Sequence, residues 1–285
     1  MVADVWSTLG KPPCTPAGAG EFHYALIDGA QMDGLSNRLS ATSRVSSHDS
    51  LFGSPLAKDK EDATPHLLAL ADMEAFVRLM REWANKLTSH GALTLMISPL
   101  APSELARRLR ARLDARLPDR FDCVNRFFDG RVTPHLHHCL TPTQRDVFFS
   151  PCTQWWVVAA NHAWLELPCR FTSEDAFHPP LELDQAQQAY LIDACYPYAV
   201  IQHFVQTDAE LLATIAEREQ YEFFHDALQA AAGFGIDGGA TAVLFCTLAL
   251  TRGARFYEEP TWRAALTSVR RSEMTLQKAV KAHHD

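Results

Sequence analysis

The chain reads as an α+β protein: an N-terminal mixed β-sheet lobe flanked by helices, followed by an all-helical C-terminal lobe. Two patterns carry that reading. Strand-like and helix-like segments alternate to about residue 167, the order expected of a sheet with helices laid on it. From Asp184 onward nearly every segment repeats its apolar residues at helical spacing. The 285 residues leave room for about two domains at roughly 150 residues each, and 47% hydrophobic content is enough to bury a core.

Residues 1–21, with Pro12, Pro13 and Pro16, form a flexible lead-in. Phe22 to Ile27 is an apolar run stopped by Asp28-Gly29 and reads as a buried strand. Ser36 to Asp62 is rich in Ser, Thr and charge and reads as loop. Asp72 is placed to cap a helix whose Met73, Phe76, Val77, Met80, Trp83, Ala84 and Leu87 share a face, with Gly91 ending it. Ala92 to Ile97 is a second strand. Ser103 is placed to cap a helix that repeats Leu105, Leu109, Leu113 and Leu117, and Cys123 to Phe128 is a third strand. Thr153 to Ala159 and Ala163 to Leu167 flank Ala160-Asn161-His162 as a hairpin. These segments define an α/β lobe over 22–167. The Pro-bearing stretch 168–180 is the linker, and 181–285 the helical lobe, with breaks at Pro197, Gln206 to Asp208, Gly233 to Gly239 and Pro260.

The formal charge of −8 argues against a nucleic-acid partner, and no apolar run reaches the roughly 18 residues of a membrane span. The N-terminus lacks a basic stretch followed by an apolar core, and the seven cysteines include no C-x-x-C pair, so the expected setting is the cytoplasm with reduced thiols. The charge is uneven. Residues 1–166 hold 17 basic against 18 acidic residues, and 167–285 hold 9 against 16. Within the second part, 174–237 carries twelve acids and only Arg218 as a base, while 252–281 carries seven bases and three acids. Such blocks mark either neutralising helix faces or a partner surface.

Signs of catalysis are thin. Gly233-Phe-Gly235-Ile-Asp-Gly238 has the spelling of a dinucleotide fingerprint, but it follows an Ala-rich helical stretch instead of a strand. Gly233 is better read as the left-handed residue ending that helix, with Asp237 capping the next. His135, His138 and Cys139, close after Asp129, are of the types that hold zinc, and a metal-dependent hydrolase using those four residues is the alternative function. The same segment reads equally as a helix from Pro134 with Leu136 and Leu140 on its apolar side. No Gly-x-Ser-x-Gly is present, and no cysteine stands in a protease context. The arginines of 103–120 (Arg107, Arg108, Arg110, Arg112, Arg116, Arg120) interleave with acids and read as the polar face of an amphipathic helix. No catalytic residue, metal or cofactor is therefore assigned.

The order of motifs is more telling. Tyr24-Ala-Leu-Ile-Asp28-Gly-Ala30 is followed by Thr64-Pro65-His66-Leu67-Leu68, Leu95-Met-Ile-Ser98 and Leu105-x-x-x-Leu109-Arg110. Asn125-Arg126-Phe127-Phe128-Asp129-Gly-Arg131-Val132 then leads to Leu140-Thr-x-x-Gln144, Phe148-Phe149 and Trp155. This succession, over about residues 22–160, resembles the cytoplasmic adaptor or effector-chaperone family of the bacterial type VI secretion system. The resemblance implies a non-catalytic protein that holds a toxic effector and helps load it onto the VgrG or PAAR spike. The family often has Pro after the motif aspartate, where this chain has Gly130, a change expected to loosen the turn.

On physical grounds Arg126, Phe127, Phe128, Asp129 and Arg131 read as a structural motif: one aromatic residue enters the core while an Arg126–Asp129 pair fixes the turn. For the effector the sequence offers its acidic block, with Glu210, Glu217, Glu219 and Glu222 steering a basic segment and Tyr221 or Phe224 as anchors.

Overall fold

A computed structural model of the chain describes residues 17–32, 34–41, 45–53, 63–83 and 90–283. The expected lead-in before Ala17, much of the expected 36–62 loop and the last turn expected for the first long helix lie outside those residues, as do the side chains of Phe76 and Met80. The chain divides into two compact units, Met1–Ile192 and Asp193–Asp285.

The first unit is built on a six-stranded sheet with strand order β2-β3-β1-β4-β7-β8, formed by β1 (Phe22–Asp28), β2 (Val45–Ser50), β3 (Pro65–Leu70), β4 (Leu93–Ser98), β7 (Gln154–Val158) and β8 (Trp164–Glu166). The α+β reading holds, but every pairing in this sheet is antiparallel, so the sheet is not mixed. The reason is that β1 sits between β3 and β4. The crossover helix α2 (Met73–Trp83) joins two strands that run the same way yet never touch, a split βαβ unit. Helix α1 (Leu35–Ala41) and β2 occupy ground expected to be loop.

Both faces of the sheet are covered, which is why its central strands read as unbroken apolar runs. On β1, Tyr24 and Leu26 face a core shared with Leu105, Leu109, Phe127, Phe148 and Trp155. Ala25 and Ile27 face the opposite core with Leu79, Trp83 and Leu93. The hairpin of β7 and β8 forms as expected, with His162 left-handed in its turn.

Helix α3 (Pro102–Ala111) is shorter than its leucine repeat implied. Its N-cap is Ala101 with Pro102 at the first position, not Ser103. After Arg112 the chain extends as β5 (Asp114–Arg116), which pairs antiparallel with β6 (Asp122–Val124) and parallel with β9 (Leu181–Glu182) in a second, three-stranded sheet. What stops the helix is visible in Arg112. Its side chain is fully buried, with Nε donating to the Phe148 carbonyl at 2.6 Å, Nη1 to the Arg108 carbonyl at 2.7 Å and Nη2 to Asp175 Oδ1 at 2.7 Å. The guanidinium also lies 4.6 Å from the Phe177 ring centroid. Arg108 donates to the Thr172 and Ser173 carbonyls. The arginines of this segment thus fasten 172–177 to the first unit, where a free linker was expected.

Two short helices, α4 (Thr133–Cys139) and α5 (Pro142–Phe148), lead into β7. Helix α6 (Gln185–Thr207) runs through Pro197, which was expected to break it. The second unit comprises the rest of α6, then α7 (Ala209–Leu212), α8 (Glu217–Gly233), α9 (Gly239–Arg252), α10 (Pro260–Arg270) and α11 (Leu276–Ala282). Its core gathers Phe204, Phe224, Phe245, Phe256, Trp262 and Leu266, with α9 central as its apolar sequence implies.

Candidate functional site

The turn that follows β6 joins its own charges to that of Asp28, 98 residues earlier. The expected strand through Phe128 ends at Val124, so Phe127 and Phe128 lie in a turn. Both are buried, at 0% and 3% exposure, where strand alternation would have buried only one. Phe127 meets Phe148 and Trp155 with ring centroids 5.7 and 6.2 Å apart. Asp129, 2% exposed, accepts from Arg131 Nε at 2.9 Å and Nη2 at 2.8 Å, a fork-to-fork pair, and from Arg126 Nη2 at 3.2 Å. Arg126 Nη2 also donates to Asp28 at 2.9 Å, so one guanidinium bridges two buried carboxylates. Burial pushes the Asp28 carboxyl above its ordinary range, while hydrogen bonds from Gln31 and the charge of Arg126 work against the rise.

Two glycines make this arrangement possible. The Gly130 amide donates to the Gly91 carbonyl at 2.8 Å. A Cβ on Gly91 would stand 2.7 Å from Arg131 Cγ and 3.0 Å from Asp129 Oδ1. Gly130 therefore fastens the turn, contrary to the expected loosening, since proline has no amide hydrogen to give. Asp28 and Gly91 went unrecognised as partners of the motif. An acid closing a buried strand just before glycine was the available signal for Asp28.

The other motif residues are also placed by packing. Thr141 and Gln144 form a capping box at the start of α5. Tyr24, Leu105, Leu109, Leu140, Phe149 and Trp155 share one core with the two phenylalanines.

The four residues of the hydrolase alternative are not brought together. Asp129 is held by Arg126 and Arg131. His138 stacks on Tyr190 with centroids 5.1 Å apart, and His135 lies 6.3 Å from the same ring. Cys139 donates its thiol hydrogen to the Leu136 carbonyl, and burial pushes that thiol up to about 11, away from the thiolate that binds zinc. Among the described residues, no three His, Cys, Asp or Glu side chains are grouped to hold a metal. The glycine string likewise resolves into a helix end. Gly235 is left-handed at φ 75°, its amide donates to Ala232, and the Ile236 amide donates to Ala231, the Schellman pattern. The left-handed residue is thus Gly235 instead of Gly233, and the N-cap of α9 is Gly238 instead of Asp237.

In the acidic block, Glu210, Glu217, Glu219 and Glu222 are exposed. Glu219 lies 3.5 Å from Arg218, and on α8 it shares a face with Glu222 and Asp226 at i, i+3, i+7 spacing. Tyr221 donates its hydroxyl to the Ala194 carbonyl at 3.0 Å and lays its ring 4.7 Å from that of Tyr198. Phe224 is 0% exposed and stacks on Phe204 at 5.4 Å. It is a core residue and cannot anchor a partner.

With this geometry in view, comparison with known families is informative. Residues 23–147 match a family model described as "Domain of unknown function (DUF4123)". No curated protein and no solved structure matches the chain. The DUF4123 match takes in β1 through α5, including Asp28, Gly91 and the whole Arg126–Arg131 turn, and stops before the acidic helices. No helix among the described residues is long and apolar enough to cross a membrane.

Proposed function

We propose that the protein is a cytoplasmic adaptor and chaperone that holds a type VI secretion effector and helps load it onto a VgrG or PAAR spike, with no catalytic step of its own. The observation that supports this reading is the DUF4123 match, because that family is associated with type VI secretion effector adaptors. The matched stretch takes in the motif succession that resembles the adaptor family as far as Gln144, and in space those motifs are a core and an ion-paired turn. Their residues touch one another, which suits a scaffold better than a catalyst.

The effector is then met by the exposed acidic side chains of α7 and α8, with the Tyr221 ring beside them, and Phe224 acts only by holding α8 in place. Acids in the first turn also complement the helix dipole, so Glu217 and Glu219 have a local structural reason to be there. Glu210 has the same reason in the first turn of α7, so Glu222, which has none, weighs most heavily for a partner.

The test is capture of the toxin encoded beside this gene, using the full chain and a variant with Glu210, Glu217, Glu219 and Glu222 changed to Gln. We expect the native chain to retain the toxin and the variant to lose at least about tenfold in affinity at low salt, since rim charges act through screened attraction. Failure of the native chain to capture any neighbouring toxin or spike protein would remove the adaptor reading. Equal capture by the variant would remove only the acidic face.

A further inference from the structure

The first unit carries a second surface that the adaptor reading does not use. Strand β6 is an edge of the three-stranded sheet, with β5 on one side and, among the described residues, no strand on the other. The Leu117 amide donates to the Phe121 carbonyl at 2.9 Å, and the Asn125 amide donates to the Leu113 carbonyl at 2.6 Å. With the register Asp114↔Val124, Ala115↔Cys123 and Arg116↔Asp122, those bonds direct the backbone of Phe121, Cys123 and Asn125 toward β5. By alternation, the N–H and C=O groups of Asp122 and Val124 point to the open edge.

Two exposed apolar side chains flank Asp122 on this hairpin. Phe121 is 61% and Val124 55% exposed, on a hairpin whose Cys123 and Ala115 turn inward to the core. Asp114, Arg116, Asp122, Val124, Pro179 and Pro180 line a groove of about 540 Å³ over the outer face. Charge along it is unbalanced. Arg116 is shared by Asp122 at 2.7 Å and Glu182 at 3.3 Å. Asp114 has no ion-pair partner within 4 Å among the described residues. Two carboxylates thus share one guanidinium, and a third carboxylate on the groove stands outside that pairing.

We infer that β6 and this groove form a docking site for an extended segment of another protein, one that alternates apolar residues with Lys or Arg. The segment adds a strand to the β6 edge through the backbone of Asp122 and Val124. Its apolar side chains rest on Val124 and the prolines, and its cations meet Asp114 and the shared carboxylates. Strand addition takes its affinity from main-chain bonds and its selectivity from alternate side chains, and both are on offer here. A three-residue edge matches a guest of about three to five residues at roughly 3.3 Å per residue.

The test uses the full chain and does not depend on the identity of any effector. The probes are three fluorescein-labelled, C-terminally amidated peptides: Val-Lys-Val-Lys-Val, Val-Glu-Val-Glu-Val and Gly-Lys-Ser-Lys-Gly. Fluorescence anisotropy should show the first binding at least about tenfold tighter than either control, because both backbone pairing and charge favour it. Asp114→Lys, an exposed change, should weaken that binding about fivefold or more at low salt and less at high salt. Val124→Pro removes one outward N–H without touching the bonds to β5, and should weaken it at both salt levels while far-UV circular dichroism stays native. Equal binding of the acidic peptide, no binding of the first peptide, or dimerisation of the chain through this edge in sedimentation velocity would each overturn the proposal.

Discussion

Phe224 and the glutamates around it call for opposite outcomes on mutation, although they are neighbours in sequence. Phe224→Ala should cost about 3–5 kcal/mol of stability, seen as a lower denaturant midpoint, because it opens a cavity against Phe204. The four Glu→Gln changes should cost much less, about 0.3–1 kcal/mol for each acid in a first turn, and act mainly on capture. Gly91→Ala should cost about 1–3 kcal/mol, since its Cβ would collide with Arg131 Cγ in a turn that has no room to relax. An unchanged midpoint for Gly91→Ala would mean that the turn is looser than drawn. Asp175 gives a pH signature. Burial raises its carboxyl, but the hydrogen bonds and charge of Arg112 outweigh that and hold it below the usual range. A folded carboxyl held low contributes stability that is present above the unfolded value of about 3.9 and is lost as pH falls through the folded one. Asp175→Asn should therefore be less stable than the native chain by about 3 kcal/mol at pH 7, where Arg112 loses its counter-charge. The gap should narrow as pH falls below the unfolded value of about 3.9, in urea titrations at neutral and acid pH. Asp28 has the opposite sign: its raised carboxyl carries a cost at neutral pH that is relieved as acid protonates it.

Among the elements, those with a strong period were readable and those decided by distant partners were not. The runs Phe22 to Ile27 and Ala92 to Ile97 were found because a strand covered on both faces is apolar at every position. That same property hid their direction, since an unbroken run looks alike in parallel and antiparallel sheets. The leucine repeat of α3 overran by two turns because its period continues through Leu113 and Leu117, while the helix ends where Arg112 turns inward to Phe148 and Asp175. No local signal announces acceptors 36 and 63 residues away. The Arg126–Asp129 pair was readable from three-residue spacing, whereas its link to Asp28, 98 residues earlier, was not. At the helix end after α8 the turn was found, but the left-handed position was misplaced by two residues within a string of four glycines over seven positions. Gly235→Ala should cost about 1 kcal/mol or more by forcing φ 75° on a residue with a Cβ, whereas Gly233→Ala should be neutral or stabilising, because Gly233 is helical with open space around it.

For the molecule as a whole, the change of period along the chain was a good guide to fold class, and the prolines were a poor guide to where it divides. The expected boundary at 168–180 rested on prolines and local polarity. The observed one falls at Ile192 and Asp193, because Phe177 and Leu181 are buried in the first unit and Thr172 to Asp175 hold its arginines. The division of charge seen in sequence survives as exposed glutamates on α7 and α8, though of the two aromatic residues named beside them Phe224 belongs to the core. Gene neighbourhood is the complementary measurement: a spike gene and a toxin gene should flank this one, and their absence would weigh against secretion.

Arg112 sets an order of events during synthesis. When the ribosome has completed the stretch that matches DUF4123, ending at residue 147, the guanidinium has yet to meet the Phe148 carbonyl, Asp175 or the Phe177 ring. Closing the core at that moment would trap an uncompensated cation in it, a penalty of several kcal/mol. The nascent chain must therefore keep this core open for about thirty more residues, some two to six seconds at ordinary bacterial elongation rates of roughly 5–20 residues per second. A fragment stopped at residue 147 should behave as a collapsed, uncooperative chain, and one stopped at residue 192 should fold.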